Sequence, residues 1–235
     1  MFPARAAQPR RNPVTSLEEN LPRRVMRALQ AVGPPHRTDG GGGAGGAVEL
    51  SGRPGQAGKG LRAAAVLIPF IPFADGWRLL MIRRSETVTA HRGQIAFPGG
   101  GVEPGEDPWQ AALREAWEEL AIPPEAVERW GDLPPLETVS SGFLIHPRVG
   151  SISPEILPRL RPDPDEVAAT LTLPWRFIAA PPREGDERLE METLIHDGHS
   201  YVRPCYYHGG MKIWGASATV LHQLVTLTGA AGDDP

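Results

Sequence analysis

The chain has 235 residues with a formal net charge of -4, and 40% of them are hydrophobic, which suits one folded domain with extensions. The charge argues against a general nucleic-acid-binding protein, and no apolar run is long enough to cross a membrane as a helix. A single cysteine, Cys205, excludes an internal disulfide framework and agrees with a reducing compartment. We therefore expect a cytoplasmic protein that binds neither nucleic acid nor membranes.

Residues 1–58 are predicted to form a basic N-terminal extension. Residues 1–37 hold seven arginines and two glutamates, whereas the rest of the chain holds 17 Lys/Arg and 26 Asp/Glu. Ser16 and Glu19 have the spacing of a capping box, which predicts a short helix from Ser16 through Arg27 or beyond. Its apolar face either docks on the domain, which we favour, or contacts a second copy in a homodimer. That face comprises Leu21, Val25, Met26, Leu29 and Val32. Residues 40–46 are glycine except for one alanine and predict a flexible linker.

The folded domain is predicted over residues 59–229, and residues 230–235 are predicted to be a flexible tail. Residues 61–70 form a buried strand in this prediction, and Asp75-Gly76 turns the chain into a second strand over residues 77–83. A glycine-rich segment ends at Gly101, and a helical pattern follows. The later predicted elements are strands over residues 127–133, 143–152, 168–173 and 191–207 and a helix over residues 214–227. Few β-α-β repeats occur, so we expect an α/β fold with a mixed sheet flanked by helices.

Three glutamates of the helix predicted over residues 107–121, Glu115, Glu118 and Glu119, fall on adjacent corners of one face. Like charges this close destabilise a helix. Mg²⁺ or Mn²⁺ offsets the repulsion, because both ions prefer carboxylate oxygens and keep waters for exchange with a substrate. The alternative is a solvated acidic helix face. The preceding glycines favour the metal site, since their backbone can approach a phosphate or offer a carbonyl to a metal. We also expect Glu106 to pair with Arg114 and to brace the loop against the helix.

The segment from Gly100 to Ile122 resembles the Nudix box, whose pattern is G-x5-E-x7-R-E-U-x-E-E-x-G-U with U a bulky aliphatic residue. The chain matches it in register at Gly100, Glu106, Arg114, Glu115, Glu118 and Glu119. It departs from the pattern at Ala116, where a bulky residue is usual, and at Ala121, where a glycine is expected. The resemblance implies an α/β/α sandwich with a mixed β-sheet and a loop-helix-loop motif. It also implies a metal-dependent hydrolase of small diphosphate compounds, often nucleoside conjugates.

Residues 80–100 are similar to the additional motif of the coenzyme A diphosphatases within the Nudix family, approximately L-L-T-x-R-S-x3-R-x3-G-x3-F-P-G-G. The residues in register are Arg84, Ser85, Gly93, Phe97, Pro98, Gly99 and Gly100. Ile82 replaces the threonine of the motif and Thr89 its second arginine. The resemblance implies hydrolysis of coenzyme A or its derivatives to 4'-phosphopantetheine and adenosine 3',5'-bisphosphate. Thr89 motivates the alternative, another nucleoside diphosphate conjugate such as ADP-ribose, NADH or a dinucleoside polyphosphate.

The resemblance also implies roles for individual acidic residues. Glu115 and Glu119 are expected as metal ligands, and the Gly99 carbonyl as an additional one. Glu118 is either a third ligand or the group that accepts a proton from water. Glu166, in a later loop, is a ligand, a general base or, alternatively, an exposed loop acid before a strand.

The expected substrate-binding residues are Arg84, His91, Arg92 and Gly100. Guanidinium groups suit phosphate because their forked N–H groups match its oxygens. The alternative for the basic members of this group is a solvated basic edge, and Arg84 is favoured individually as a phosphate ligand.

Overall fold

The computed structural model describes residues 20–32, 60–87, 91–138, 141–180, 187–196 and 198–230. The helices in these ranges are α1 (Leu21–Val32), α2 (Pro108–Leu120), α3 (Trp175–Ala179) and α4 (Gly215–Ala230), with 3-10 segments at Pro124–Ala126 and Pro154–Arg159. The strands are β1 (Arg62–Phe73), β2 (Gly76–Arg84), β3 (Ile95–Ala96), β4 (Gly99–Gly101), β5 (Glu128–Asp132), β6 (Leu136–Glu137), β7 (Phe143–Ser151), β8 (Val167–Pro174), β9 (Leu189–His196), β10 (His199–His208) and β11 (Met211–Ile213). Among the described residues, no helix is both long and apolar enough to span a bilayer.

The main sheet is mixed, as the sequence predicts. Its central order is β3-β2-β1-β7-β5, while β4 pairs with β1, β6 with β7 and β8 with β2. β1 and β7 run parallel from Arg62 opposite Phe143 to Phe70 opposite Ser151, and the neighbouring pairs are antiparallel. The hairpin predicted at Asp75-Gly76 is confirmed, with Phe73 opposite Gly76.

The core lies in two layers because β1 is buried on both faces. Ile68 and Phe70 belong to a cluster that includes side chains of α1 and α4. Leu67 and Ile71 face the other way and pack in a cluster with α2. A strand covered on both faces needs an almost continuous apolar run, which residues 64–71 supply. The result is the α/β/α sandwich that the sequence predicts.

Helix α1 docks on the domain, as favoured from its apolar face. Leu21, Val25 and Leu29 are buried in the cluster that contains Trp130. The assignment of Val32 to the buried face is wrong, because Val32 lies at the last residue of the helix and is 37% exposed. The predicted cap at Ser16 and Glu19, the linker at residues 40–46 and the tail beyond residue 230 lie outside the described residues.

The prediction of one strand over residues 191–207 is wrong, because the chain turns back within this segment. β9 and β10 form an antiparallel hairpin in which His196 lies opposite His199, and Gly198 has a φ of +76°. An Asp-Gly pair at residues 197–198 was the turn signal in the sequence. β11 completes this second, three-stranded sheet, which packs through β10 on α4 and through β11 on β3. The second sheet therefore lies beside the glycine-rich segment of the main sheet.

Helix α2 begins and ends where the sequence predicts. Asp107 caps it by accepting a hydrogen bond from the Trp109 N–H, and the Gln110 side chain accepts one from the Asp107 N–H. At the other end, Ala121 is the C-cap in the left-handed region with φ +57°. This conformation favours glycine, and it explains why the family pattern has a glycine where this chain has Ala121.

Candidate active site

The glycines of β4 bring the backbone of the main sheet against helix α2. Gly99 has a φ of +152°, and a Cβ there would collide with the Ala65 carbonyl and with Val66 on β1. A Cβ on Gly100 would lie 2.5 Å from the carboxylate of Glu115. Side chains at these positions would force β4 away from β1 or displace Glu115. The glycines therefore allow the carboxylates of α2 to contact the strand.

Glu119 is a buried carboxylate at this contact, only 1% exposed. Its Oε2 accepts a hydrogen bond of 3.0 Å from the Gly99 N–H, and its Oε1 lies 3.5 Å from Nη1 of Arg84. Oε1 has no hydrogen-bond partner in the part of the chain that the structure describes. Burial raises the pKa of Glu119 to about 8, although the Gly99 N–H and Arg84 favour the charged form. An incompletely paired carboxylate at this depth is an electrostatic cost to the fold.

Arg114 connects the rest of the acidic face. Its guanidinium donates to Glu106 at 3.0 Å, and to Glu115, Glu118 and the Gly101 carbonyl at 2.9 Å each. The structure thus places Glu106 and Arg114 in the contact expected from the sequence. The hydrogen bond from Arg114 lowers the pKa of Glu106 and, reciprocally, raises that of Arg114. This single guanidinium ties the loop before α2, the helix and the end of β4 together.

Within the described ranges, no three acidic, histidine or cysteine side chains form a ready-made metal cluster. Arg114 holds Glu115 and Glu118, and the Glu118 side chain is 53% exposed. The residues nevertheless fit a divalent cation. Glu119 has a buried oxygen without a hydrogen bond, and burial raises the pKa of Glu115 as well, with the charges of Glu118 and Glu166 adding to the effect. A cation between them would add to the positive charge that Arg114 and Arg84 already place beside these carboxylates, and it would offer a ligand position to the free oxygen of Glu119.

Glu166 belongs to the same group of acids although it lies in a distant loop. Its charge contributes to the raised pKa values of both Glu115 and Glu119, after the larger effect of burial. The end of β2 holds this loop, because the Ser85 N–H donates to the Glu166 carbonyl at 2.8 Å. Thr87 adds a hydrogen bond of 3.0 Å from its hydroxyl to the Asp165 carbonyl. The sequence analysis names Glu166 as a candidate but does not foresee the hydrogen bonds that hold its loop, which follow from the pairing of β2 with β8.

A cavity of about 320 Å³ borders the glycines on the side of the second sheet. Three of the four predicted substrate-binding residues line it: Arg84, His91 and Gly100. Arg92, the fourth, is exposed and is not among the residues that line it. His91 has a φ of +61°, an uncommon conformation for a residue with a side chain. The volume lies within the range of small-molecule sites, so this cavity is the candidate substrate site.

Sequence reasoning missed several polar and aromatic residues of the cavity wall. Gln94 precedes β3, Arg203 belongs to β10, and Trp214 lies between β11 and α4. No local motif marks Arg203, because its position depends on the hairpin of the second sheet. Trp214 is the first residue of the helix predicted over residues 214–227, but no pattern in the sequence marks it as part of a cavity wall.

Comparisons with known proteins identify the family to which the chain belongs. The NUDIX domain family model matches residues 61–184. Nudix hydrolase 3 of Caenorhabditis elegans is 34% identical over 174 residues, which cover 70% of this chain and 72% of that protein. The uncharacterized Nudix hydrolase NudL of Pectobacterium atrosepticum is 39% identical over 164 residues, 69% of this chain and 81% of that protein. The crystal structure of the Nudix hydrolase RenU from M. smegmatis aligns with a TM-score of 0.47 at 18% identity, covering 74% of this chain and 89% of that one.

The chain therefore belongs to the Nudix family. It is a Nudix hydrolase, an enzyme that cleaves diphosphate bonds in small nucleotide-type molecules.

Proposed function

We propose that this Nudix hydrolase cleaves the diphosphate bond of coenzyme A or its derivatives and releases 4'-phosphopantetheine and adenosine 3',5'-bisphosphate. The observation that carries the proposal is the position of Glu119. Its buried carboxylate accepts a hydrogen bond from the Gly99 N–H and lies next to the Arg84 guanidinium. Gly99 and Arg84 both line the cavity. A negatively charged diphosphate in this cavity therefore lies next to the acids that fit a cation.

The metal in this proposal is Mg²⁺ or Mn²⁺, held by Glu115 and Glu119 with Glu118 and the Gly99 carbonyl as further ligands. A bound divalent ion would neutralise phosphate oxygens and lower the pKa of a water molecule. The role of Arg114 is to hold Glu115 and Glu118 in place through its hydrogen bonds. Arg84, which is near Glu119 and lines the cavity, contacts the substrate phosphate.

Glu166 is the favoured proton acceptor for the attacking water. Glu118 is engaged by Arg114 at 2.9 Å, whereas the described residues offer the Glu166 carboxylate no hydrogen bond or ion pair. In the proposed step, a water oxygen attacks phosphorus as its proton passes to Glu166, and the P–O bond to the other phosphate breaks. The loop contacts of Ser85 and Thr87 position Glu166 for this role.

The upstream motif supports coenzyme A as the substrate. Arg84 and Gly100 line the cavity, Ser85 holds the loop of Glu166, and Phe97 is buried in the core beneath the glycines. The Pro98 carbonyl accepts a hydrogen bond of 2.9 Å from the Leu67 N–H, which fixes the approach to β4. Thr89, the departure that favours another nucleoside diphosphate conjugate, lies outside the described residues. That second substrate class remains the alternative.

A substrate panel tests the proposal. Coenzyme A, acetyl-coenzyme A, ADP-ribose, NADH and a dinucleoside polyphosphate are each incubated with purified protein and Mg²⁺ or Mn²⁺, and products are identified by mass spectrometry. We expect adenosine 3',5'-bisphosphate from the coenzyme A compounds at the highest kcat/KM. Cleavage of ADP-ribose, NADH or the dinucleoside compound, without any adenosine bisphosphate at high enzyme concentration, would establish the alternative instead. Glu155→Gln, at an exposed glutamate outside the cavity, is the matched control for glutamate substitutions.

A further inference from the structure

We propose that Arg203 and Trp214 form a nucleotide subsite in the cavity, in which Arg203 binds a phosphate outside the scissile diphosphate and Trp214 stacks on the base. The inference rests on the proposed function and deepens it. It identifies the residues that select a nucleoside carrying an additional phosphate on its ribose.

Arg203 reaches the cavity from the second sheet. It lies on β10, half-buried, between exposed Val202 and buried Pro204. Its partner position on β9 is Glu192, but Lys212 forms the ion pair with that carboxylate. The described residues give the Arg203 guanidinium no hydrogen bond or ion pair, although it lines the cavity. A guanidinium in this state has its N–H groups available for an anion.

The two arginines that line the cavity differ in whether they have an acidic partner. Arg84 lies 3.5 Å from Glu119, so its charge is already balanced by the acidic group of α2. Arg203 comes from the second sheet and forms no ion pair among the described residues. One acid, Glu137, lines the cavity, and its side chain is exposed. The charge of Arg203 is therefore available to a second phosphate, while Arg84 remains with the diphosphate.

Trp214 provides an aromatic surface in the same cavity. Its side chain lines the wall and is 44% exposed, which is unusual for a large apolar residue between two packed elements. Indole rings stack on nucleobases with little dependence on the base. The remaining wall is largely apolar, with Val66, Phe97, Phe143, Ile145 and Val220. An apolar slot that also contains the Arg203 guanidinium suits a base and a phosphorylated ribose.

The test measures nucleotide binding by calorimetry on the metal-free protein, so it does not depend on turnover. The probes are adenosine 3',5'-bisphosphate and adenosine 5'-monophosphate. We expect the bisphosphate to bind at least about tenfold more tightly, as a charge-assisted phosphate contact provides. Arg203→Ala should abolish this preference, and Arg203→Lys should keep part of it. Arg159→Ala, at an exposed arginine outside the cavity, should retain it fully. Trp214→Ala should weaken the binding of both nucleotides by a similar factor.

The outcomes separate the subsite from the proposed function. Equal affinities in the unmodified protein, no binding of either nucleotide, or a preference that survives Arg203→Ala would overturn the subsite, even if coenzyme A is hydrolysed. Conversely, if the Arg203-dependent preference is found but the panel shows cleavage of other conjugates alone, the subsite stands and the coenzyme A assignment fails. Thermal unfolding is measured for each variant to check that it folds. If Arg203→Ala does not fold, the affinities of Arg203→Lys for the two nucleotides test the subsite instead.

Discussion

The two sides of the cavity differ in how completely their charged side chains are paired. On the side of α2, Glu106, Glu115, Glu118 and Glu119 are gathered around Arg114 and Arg84, and most of their oxygens have a donor. On the side of the second sheet, Arg203 forms no ion pair with any described residue, because the neighbouring Glu192 pairs with Lys212. The acids at the proposed cation site are therefore paired with arginines, whereas Arg203 at the proposed phosphate site has no ion-pair partner among the described residues.

This difference shows how the site stays folded without its ligands. Buried carboxylates cannot remain unpaired without a large electrostatic cost, and Arg114 and Arg84 reduce that cost here. A half-exposed guanidinium keeps part of its hydration and needs no such partner. The contacts of Arg114 on the acidic side join residues near one another in the sequence, whereas the position of Arg203 depends on how two sheets pack. The predictions below test the acidic side first, because the largest effects are expected there.

Glu119→Gln should have the largest effect on activity. The amide keeps the size of the side chain but removes the negative charge that a cation needs. We expect hydrolysis to fall by more than about 100-fold, the upper value for residues that only support a metal ligand. Steady-state kinetics on the best substrate of the panel measure the effect. Glu155→Gln should match the unmodified protein, and an equal loss in both variants would contradict a specific role for Glu119.

Gly100→Ala should have the next largest effect. The added Cβ would lie 2.5 Å from the Glu115 carboxylate, so the flexible end of that side chain must move. A displacement near 1 Å in a catalytic group costs roughly 100-fold in rate. Gly101→Ala is the matched comparison, since a Cβ at that position meets nothing within 4 Å. Similar kcat/KM values for the two variants would show that the contact between Gly100 and Glu115 does not matter.

Arg114→Lys should reduce activity by about tenfold, the lower value for groups that orient metal ligands. Lysine keeps the charge but cannot reproduce the forked contacts to Glu106, Glu115 and Glu118. Arg129→Lys is the control, because Arg129 forms an ion pair with Asp132 but is 61% exposed. Apparent metal affinity should weaken in the first variant alone. An unchanged metal dependence would remove Arg114 from the proposed support.

The pH dependence of stability should reveal Glu119 in the metal-free protein. Its pKa is raised from 4.5 to about 8, so between these values the folded state binds a proton that the unfolded state lacks. The free energy of unfolding therefore falls as the pH rises through this range. Relative to Glu119→Gln, the loss should be on the order of 5 kcal/mol, because each unit of pH between the two pKa values contributes about 1.4 kcal/mol. Urea unfolding at several pH values measures it, and parallel curves for both proteins would contradict the burial of this charge.

The sequence predicts the acidic side well because its geometry is local. Helical spacing places Glu115 and Glu119 one turn apart, and the capping residues set the ends of α2. It does not show that Glu119 turns inward to Gly99 while Glu118 stays exposed, because that depends on how α2 packs on β4. The cavity side was less predictable. Arg203 takes its position from a hairpin that was predicted as one strand, and no sequence motif near it indicates a binding site.

Metal binding tests the central claim most directly. Titration of Mn²⁺ into the metal-free protein, followed by electron paramagnetic resonance of the free ion, measures binding without any substrate. We predict saturable binding in the unmodified protein and in Glu155→Gln, and its loss in Glu119→Gln. Binding of equal strength in Glu119→Gln, or none in any of the three proteins, would contradict a metal centre built on the carboxylates of α2.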